Sequence, residues 1–165
     1  MAHFAELKAM TDPTGFTSDS HQVVQRVVVV GNDIDTAAGP LGENDMHVDG
    51  ETWCQNFYGG GTWKQTSWSK SFRGWYAGEG CVYLPDLDVF TKPRPYESWS
   101  LNTSSAEWEP PIAYPSVTTG TLDGVEYNYR YWWDEPNQCW KAHLGQANIY
   151  QWNTTTESWD LIATE

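Results

Sequence analysis

The sequence predicts a mainly β protein: a small antiparallel sheet, then serial β-hairpins with aromatic-rich turns, and one short helix near residues 51–58. Three observations carry this. Two early runs, Ala2–Leu7 and Val23–Val30, are rich in apolar and β-branched residues and are bounded by turn formers. Eleven Trp, nine Tyr and five Phe stand among 165 residues whose mean hydropathy is -0.60, so aromatic bulk sits in a polar background. In the second half those aromatics recur at a fixed offset around turn-forming residues.

Taken in order, the first strand runs into a Thr/Asp/Pro/Gly/Ser-rich connection from Thr11 to Ser20, which predicts a long exposed loop before the second strand. Another Asn/Asp/Gly/Pro-rich loop is expected from Gly31 to about Gly50. Over Glu51–Tyr58 the i, i+4 pairs Trp53/Phe57 and Cys54/Tyr58 predict about two turns of helix, stopped by Gly59-Gly60-Gly61. All Trp fall between Trp53 and Trp159 and all Tyr between Tyr58 and Tyr150. By composition the chain therefore divides near residue 50. Residues 1–50 read as an N-terminal hairpin with long loops, a candidate attachment segment. Residues 51–165 read as an aromatic-rich hairpin-repeat region, expected to form one compact unit with the first.

The repeat has four copies: Tyr83-Leu84 with Phe90, Leu101-Asn102 with Trp108, Trp133-Asp134 with Trp140, and Trp152-Asn153 with Trp159. Each is an apolar residue, usually Asn or Asp next, then a large aromatic six residues on. An Asx side chain hydrogen-bonds the backbone just ahead of it and starts a tight turn, so the flanking aromatics pair across the two strands. Such pairs contribute about 0.5–1 kcal/mol each beyond burial. Most tryptophans are thereby expected to pin hairpins. Lys92-Pro93-Arg94-Pro95 and Pro110-Pro111 follow second strands and end pairing, because proline has no N–H.

Nine Lys and Arg against 22 Asp and Glu leave a net charge of -13, which disfavours nucleic acid and anionic lipid as partners. The longest aliphatic run, Val27–Val30, is far too short to span a bilayer, and Met1–Phe4 opens no secretory leader, so cytosolic synthesis is expected. Cys54, Cys81 and Cys139 lack metal-site spacing and are read as reduced and mostly buried. Asn102-Thr103-Ser104 and Asn153-Thr154-Thr155 match the glycosylation pattern through their turn composition alone. Nucleophile elbows, metalloprotease and calcium-loop motifs are missing, and Gly59–Lys64 only superficially resembles a phosphate loop. His3, His21, His47 and His143 are scattered. Asp86, Asp88, Asp134 and Glu135 would have to converge in a cleft to serve a lysin or hydrolase. The expectation is a non-enzyme with no cofactor and no metal.

Several segments, in order, resemble a family of small proteins of marine tailed bacteriophages of the cyanophage type. They are Met1–Leu7, Gln25–Val30, Gly60–Ser67, Tyr76–Gly80 with Tyr83, Pro95–Asn102 with Trp108–Pro111, and Tyr150–Asn153. The resemblance implies a phage product.

A phage chain with surfaces and no recognisable site is expected to be a virion structural protein, made in the host cytoplasm and located in the virion. The favoured role is capsid decoration (cement), with the major capsid protein or other virion proteins as partners and a homo-oligomer, guessed as a trimer. The alternative is a neck or tail-fibre component that binds carbohydrate for host recognition. Candidate interface residues are Phe4, Trp68, Trp75, Trp132 and Trp133. Trp132 and Trp133 are adjacent in a strand and point to opposite faces, so at most one belongs to a core.

Overall fold

A computed structural model describes residues 1–10, 21–43, 48–146 and 148–164; the expected loop Thr11–Ser20 lies outside the described residues. The chain is mainly β, with antiparallel sheets and, among the described residues, one short helix. In order the elements are β1 (Ala2–Ala9), β2 (Gln22–Val30), β3 (Asp35–Thr36), β4 (Gly39–Pro40), α1 (Val48–Phe57), β5 (Thr62–Thr66), β6 (Val82–Leu84), β7 (Val89–Thr91), β8 (Ser100–Asn102), β9 (Glu107–Glu109), β10 (Thr119–Leu122), β11 (Val125–Asn128), β12 (Arg130–Asp134), β13 (Cys139–Leu144), β14 (Asn148–Asn153) and β15 (Ser158–Thr164). Contacts divide the chain into two units. The first is Met1–Pro95 with Leu101–Trp108, and the second is Tyr96–Ser100 with Glu109–Glu165.

The first unit is built on a five-stranded sheet ordered β5-β1-β2-β6-β7. The compositional step at residue 50 is therefore not a step in the contacts, because β1 and β2 share this sheet with three strands from beyond it. β1 has a neighbour on each side and is buried on both faces. Ala2 and Phe4 point to one core with Val30, Leu41, Cys54 and Trp63, and Ala5 and Leu7 point to another with Val24, Ala77, Tyr83 and Phe90. The registers Glu6↔Arg26 and Leu7↔Val24 leave Gln25 as an extra residue in β2. That bulge reverses the alternation: Val28 and Val30 face the first core, and Val24 joins Val27 on the second.

The helix begins three residues earlier than the i, i+4 pairs indicate, with Asp49 and Glu51 in its first turn, where the positive end of the helix dipole favours carboxylates. Trp53 and Phe57 stack at 4.6 Å as the pairing predicts. Gly59 and Gly60, both at positive φ, close the helix by donating to the carbonyls of Asn56 (3.3 Å) and Gln55 (2.7 Å). Gly50 stands in the first turn of the helix for a packing reason: a Cβ there would come within 2.3 Å of the Phe4 ring. Ahead of α1, part of the expected loop is the small β3–β4 hairpin, and Leu41 just after it is fully buried.

The second unit contains the meander β12-β13-β14-β15 and the separate hairpin β10-β11. Asp123 and Gly124 both take positive φ in the β10-β11 turn, the geometry that Asp-Gly favours.

The repeat forms hairpins of one design. Tyr83 pairs with Phe90, Trp133 with Trp140 and Trp152 with Trp159 across their strands, with ring centroids at 5.1, 5.2 and 5.2 Å. Asn102 and Asn153 act as read from the sequence: each amide oxygen accepts two N–H groups, from Ser104 and Ser105 and from Thr155 and Thr156. The last turn residue, Asp88, Ala106, Gln138 or Glu157, has φ between 47 and 57°. None is glycine, so the paired strands hold these residues in a conformation that costs each about 1 kcal/mol. Three of the four copies join larger sheets, β6-β7 completing the five-stranded sheet and the last two merging into the meander, while β8-β9 remains a two-stranded hairpin.

Candidate functional site

The five sequence candidates are not brought together. Phe4 has no exposed surface and Trp133 only 3 %. Their placement corrects the expectation that they face a partner. Phe4 follows the alternation of β1 into the core beneath Gly50, and Trp133 packs among Trp99 and Trp140 with its indole N–H donated to Glu135 at 2.7 Å. Trp132 lies on the opposite face of β12, half-buried, with its ring 4.8 Å from that of His143. Trp75 is also half-buried and is occupied by cations, with Lys70 Nζ 3.3 Å and Lys92 Nζ 4.2 Å from the ring centroid.

Trp68 is 72 % exposed, the most exposed of the tryptophans, and it edges an open cleft of about 450 Å³ in the first unit. β5 ends at Thr66, and the turn that follows is held by the Ser67 hydroxyl, which accepts the Ser71 N–H at 3.0 Å and shares hydrogen bonds with the Ser69 and Ser71 hydroxyls. The indole stands edge-on to Tyr76 at 5.0 Å and stacks with His3 at 6.3 Å. His3 arrives from β1, which pairs with β5 at His3↔Thr66. Burial, and secondarily the charge of the Met1 amino group, hold its pKa below 6.5.

The far wall comes from the turns around β3-β4. Gly42 donates to the Asn32 carbonyl at 2.8 Å, and the Asn32 amide donates to Glu43 at 3.2 Å, so both side chains line the cleft as a bonded pair. Ser69 and Ser71 add hydroxyls, Met1 brings its charged amino group, and among the described residues no Lys or Arg side chain is in the lining. An aromatic edge facing hydroxyl, amide and carboxylate groups can stack and hydrogen-bond a ligand. Among the described residues, neither a charge relay nor a pair of facing carboxylates is assembled there.

A second concentration of chemistry lies inside the first unit. Arg73 donates to Glu51 at 2.7 Å, to the Gln65 carbonyl at 3.0 Å and to Asp88 at 2.8 Å. Asp88 also accepts from the Tyr83 hydroxyl at 2.5 Å, and Glu51 from the Gln65 N–H at 2.9 Å. Burial works against the Arg73 charge, but the Glu51 hydrogen bond and the surrounding carboxylates more than offset it and raise its pKa. The Tyr83 phenol is raised by burial and by its bond to Asp88. These bonds tie α1, β5 and the β6-β7 hairpin together, so the cluster has a structural role. Nearby, burial and then Glu51 push the Cys54 thiol up to about 12, which leaves it protonated and unreactive.

Sequence reasoning missed the cleft because its polar wall lies in a segment read only as a loop. The signal for its aromatic edge was Trp68 itself, one of the tryptophans the repeat does not use. Among the described residues no group of three metal-ligating side chains converges, and no helix is long and apolar enough to cross a membrane. Comparison of the chain with models of protein families, with curated proteins and with solved structures finds no match.

Proposed function

We propose that this chain is a non-enzymatic structural protein of a tailed-phage virion, decorating the head by binding the major capsid protein, with self-association into a trimer on the lattice. The resemblance of its segments to marine phage proteins directs the reading to a phage. The observation that carries a binding role is an aromatic row at the end of α1. Trp53 stacks on Phe57 at 4.6 Å, Phe57 meets Tyr58 edge-on at 4.9 Å, and Tyr58 stacks on Trp63 at 4.9 Å. Phe57 is 65 % and Tyr58 38 % exposed, and Arg26 lies 4.6 Å from the centre of the Tyr58 ring. Rigid aromatics beside an arginine are the side chains that dominate protein–protein contacts, since they bury a large area while losing little freedom. The charge of -13 on an exterior component helps an assembled particle remain dispersed.

Mass spectrometry of gradient-banded particles tests the reading, with the protein expected at high copy number. Phe57→Asp should leave a folded protein that no longer co-sediments with particles lacking it. Absence from purified particles would end the proposal.

A further inference from the structure

We infer that the cleft beside Trp68 binds a neutral hexose unit of a glycan, the sugar ring stacked on the indole and its hydroxyls held by Asn32, Glu43, Ser69 and Ser71. The inference does not depend on where the chain sits in a particle.

Four observations lead there. The first is exposure: a side chain of this size left 72 % accessible forgoes most of the stabilisation its burial would provide, so the fold does not use this indole as filler. The second is rigidity. Tyr76 holds the ring edge-on, His3 stacks toward one face, and the Ser67 hydroxyl fastens the turn that carries it, so stacking of a sugar on the other face would cost little ordering. A tryptophan serving only as a flexible surface residue would not need either support.

The third is polarity. A pyranose has one face of C–H groups and a rim of hydroxyls that both donate and accept. An aromatic edge opposite an amide, a carboxylate and two hydroxyls complements both parts, and the bonded Asn32–Glu43 pair keeps its acceptors oriented. The fourth is charge. Among the described residues the lining holds one carboxylate, Glu43, and no Lys or Arg, and the charged amino group of Met1 balances that carboxylate. The cleft therefore offers no cluster of cations for nucleotides, uronic acids or sulfated and phosphorylated sugars and suits an uncharged ligand. A cleft of about 450 Å³ lies within the range that small ligands occupy, and none of the rings at the end of α1 lines it.

The test is titration of the full chain, observed through its indole N–H resonances, with methyl glucoside, methyl mannoside, methyl galactoside and N-acetylglucosamine, then maltose, cellobiose and lactose. At least one is expected to shift the Trp68 signal saturably, with a dissociation constant on the order of 1 mM. Trp68→Ala should weaken that binding by more than about tenfold and Asn32→Ala by about threefold or more, with unchanged circular dichroism, while Trp132→Ala should leave it intact. Trp68→Phe, which keeps a smaller ring, should fall between. Three results would each overturn the inference: no saturable shift with any of these sugars, binding that survives Trp68→Ala, or tighter binding of glucuronate than of the neutral sugars. None of them bears on whether the chain is found in particles.

Discussion

The two units use different physics to solve one problem, a polar chain that must still hold its strands together. In the first, β1 is buried on both faces and the cores are mixed aliphatic and aromatic. Between its elements lies a buried ion-pair network in which Arg73, with its side chain 5 % exposed, holds Glu51 and Asp88. In the second, aromatic rings do most of the packing. Trp99 lies 6.4 Å from Trp133 and 6.2 Å from Trp140, and Tyr114 lies 4.9 Å from Trp140. Its last strand is largely solvent-facing. Two indole N–H groups there find backbone acceptors, Trp140 on the Ile112 carbonyl at 3.0 Å and Trp159 on the Val117 carbonyl at 2.8 Å. A tryptophan supplies bulk and a hydrogen-bond donor together, so a small unit can be packed without a wide aliphatic core.

Removing the centre of either arrangement should have the largest effect. Arg73→Ala leaves Glu51 buried without its strongest partner and is expected to cost about 3–5 kcal/mol in urea denaturation. Trp140→Ala in the second unit is expected to cost a similar amount, about 3–5 kcal/mol, with loss of the near-ultraviolet dichroism that coupled indoles produce. A Trp140 variant within about 1 kcal/mol of the parent would show that the ring cluster is not what stabilises that unit.

An intermediate effect is expected at Gly50. Alanine is the better helix former, yet its Cβ would press on Phe4, so Gly50→Ala should destabilise by about 1–3 kcal/mol. If it stabilised instead, the packing of α1 over β1 would be looser than the contact with Phe4 indicates. Opposite in sign is Gln138→Gly in the β12-β13 turn. Relief of a positive φ of 47° should gain up to about 1 kcal/mol, read as a raised urea midpoint.

The smallest effect separates the units by pH. His3, in the first, has a folded pKa below 6.5, so the unfolded chain binds its proton more readily. Its contribution is complete above about 6.5 and is lost as pH falls through the lower folded value. Asp134, in the second, is held below 3.8 by its hydrogen bonds to Lys141 and Asn137. Its contribution persists to about pH 4 and is lost as pH falls through its own lower value. Urea midpoints followed down the acid range should show an earlier decline that His3→Gln removes and a later one that Asp134→Asn removes.

Local chemistry was legible wherever it acted within a few residues. The hairpins could be read because an Asx or turn tetrad and its two flanking aromatics lie within eight positions, and Gly59-Gly60 could be read as a helix stop for the same reason. Burial was not legible at Phe4. Its side chain looked like a surface aromatic in a polar half until β1 acquired neighbours on both sides and a helix above it. Gln25 is similar: a one-residue bulge sends Val24 to a different core from Val28 and Val30, and nothing in the run of valines marks it. The β10-β11 hairpin did have a local signal, the Asp123-Gly124 dipeptide, but it stands outside the repeat.

By itself the sequence determined the strand-rich class, the acidic surface, the turns that close the hairpins and the aromatic pairs across them, because these depend on backbone preferences and neighbours in the chain. Tertiary structure alone decided which hairpins fuse into sheets, that Glu51, Arg73, Asp88 and Tyr83 meet, and that Trp133 is enclosed while Trp68 stands open beside Asn32 and Glu43. Those outcomes depend on which distant segments cover a given side chain. Solvent access and charge pairing are properties of that covering, which no local pattern of residues contains.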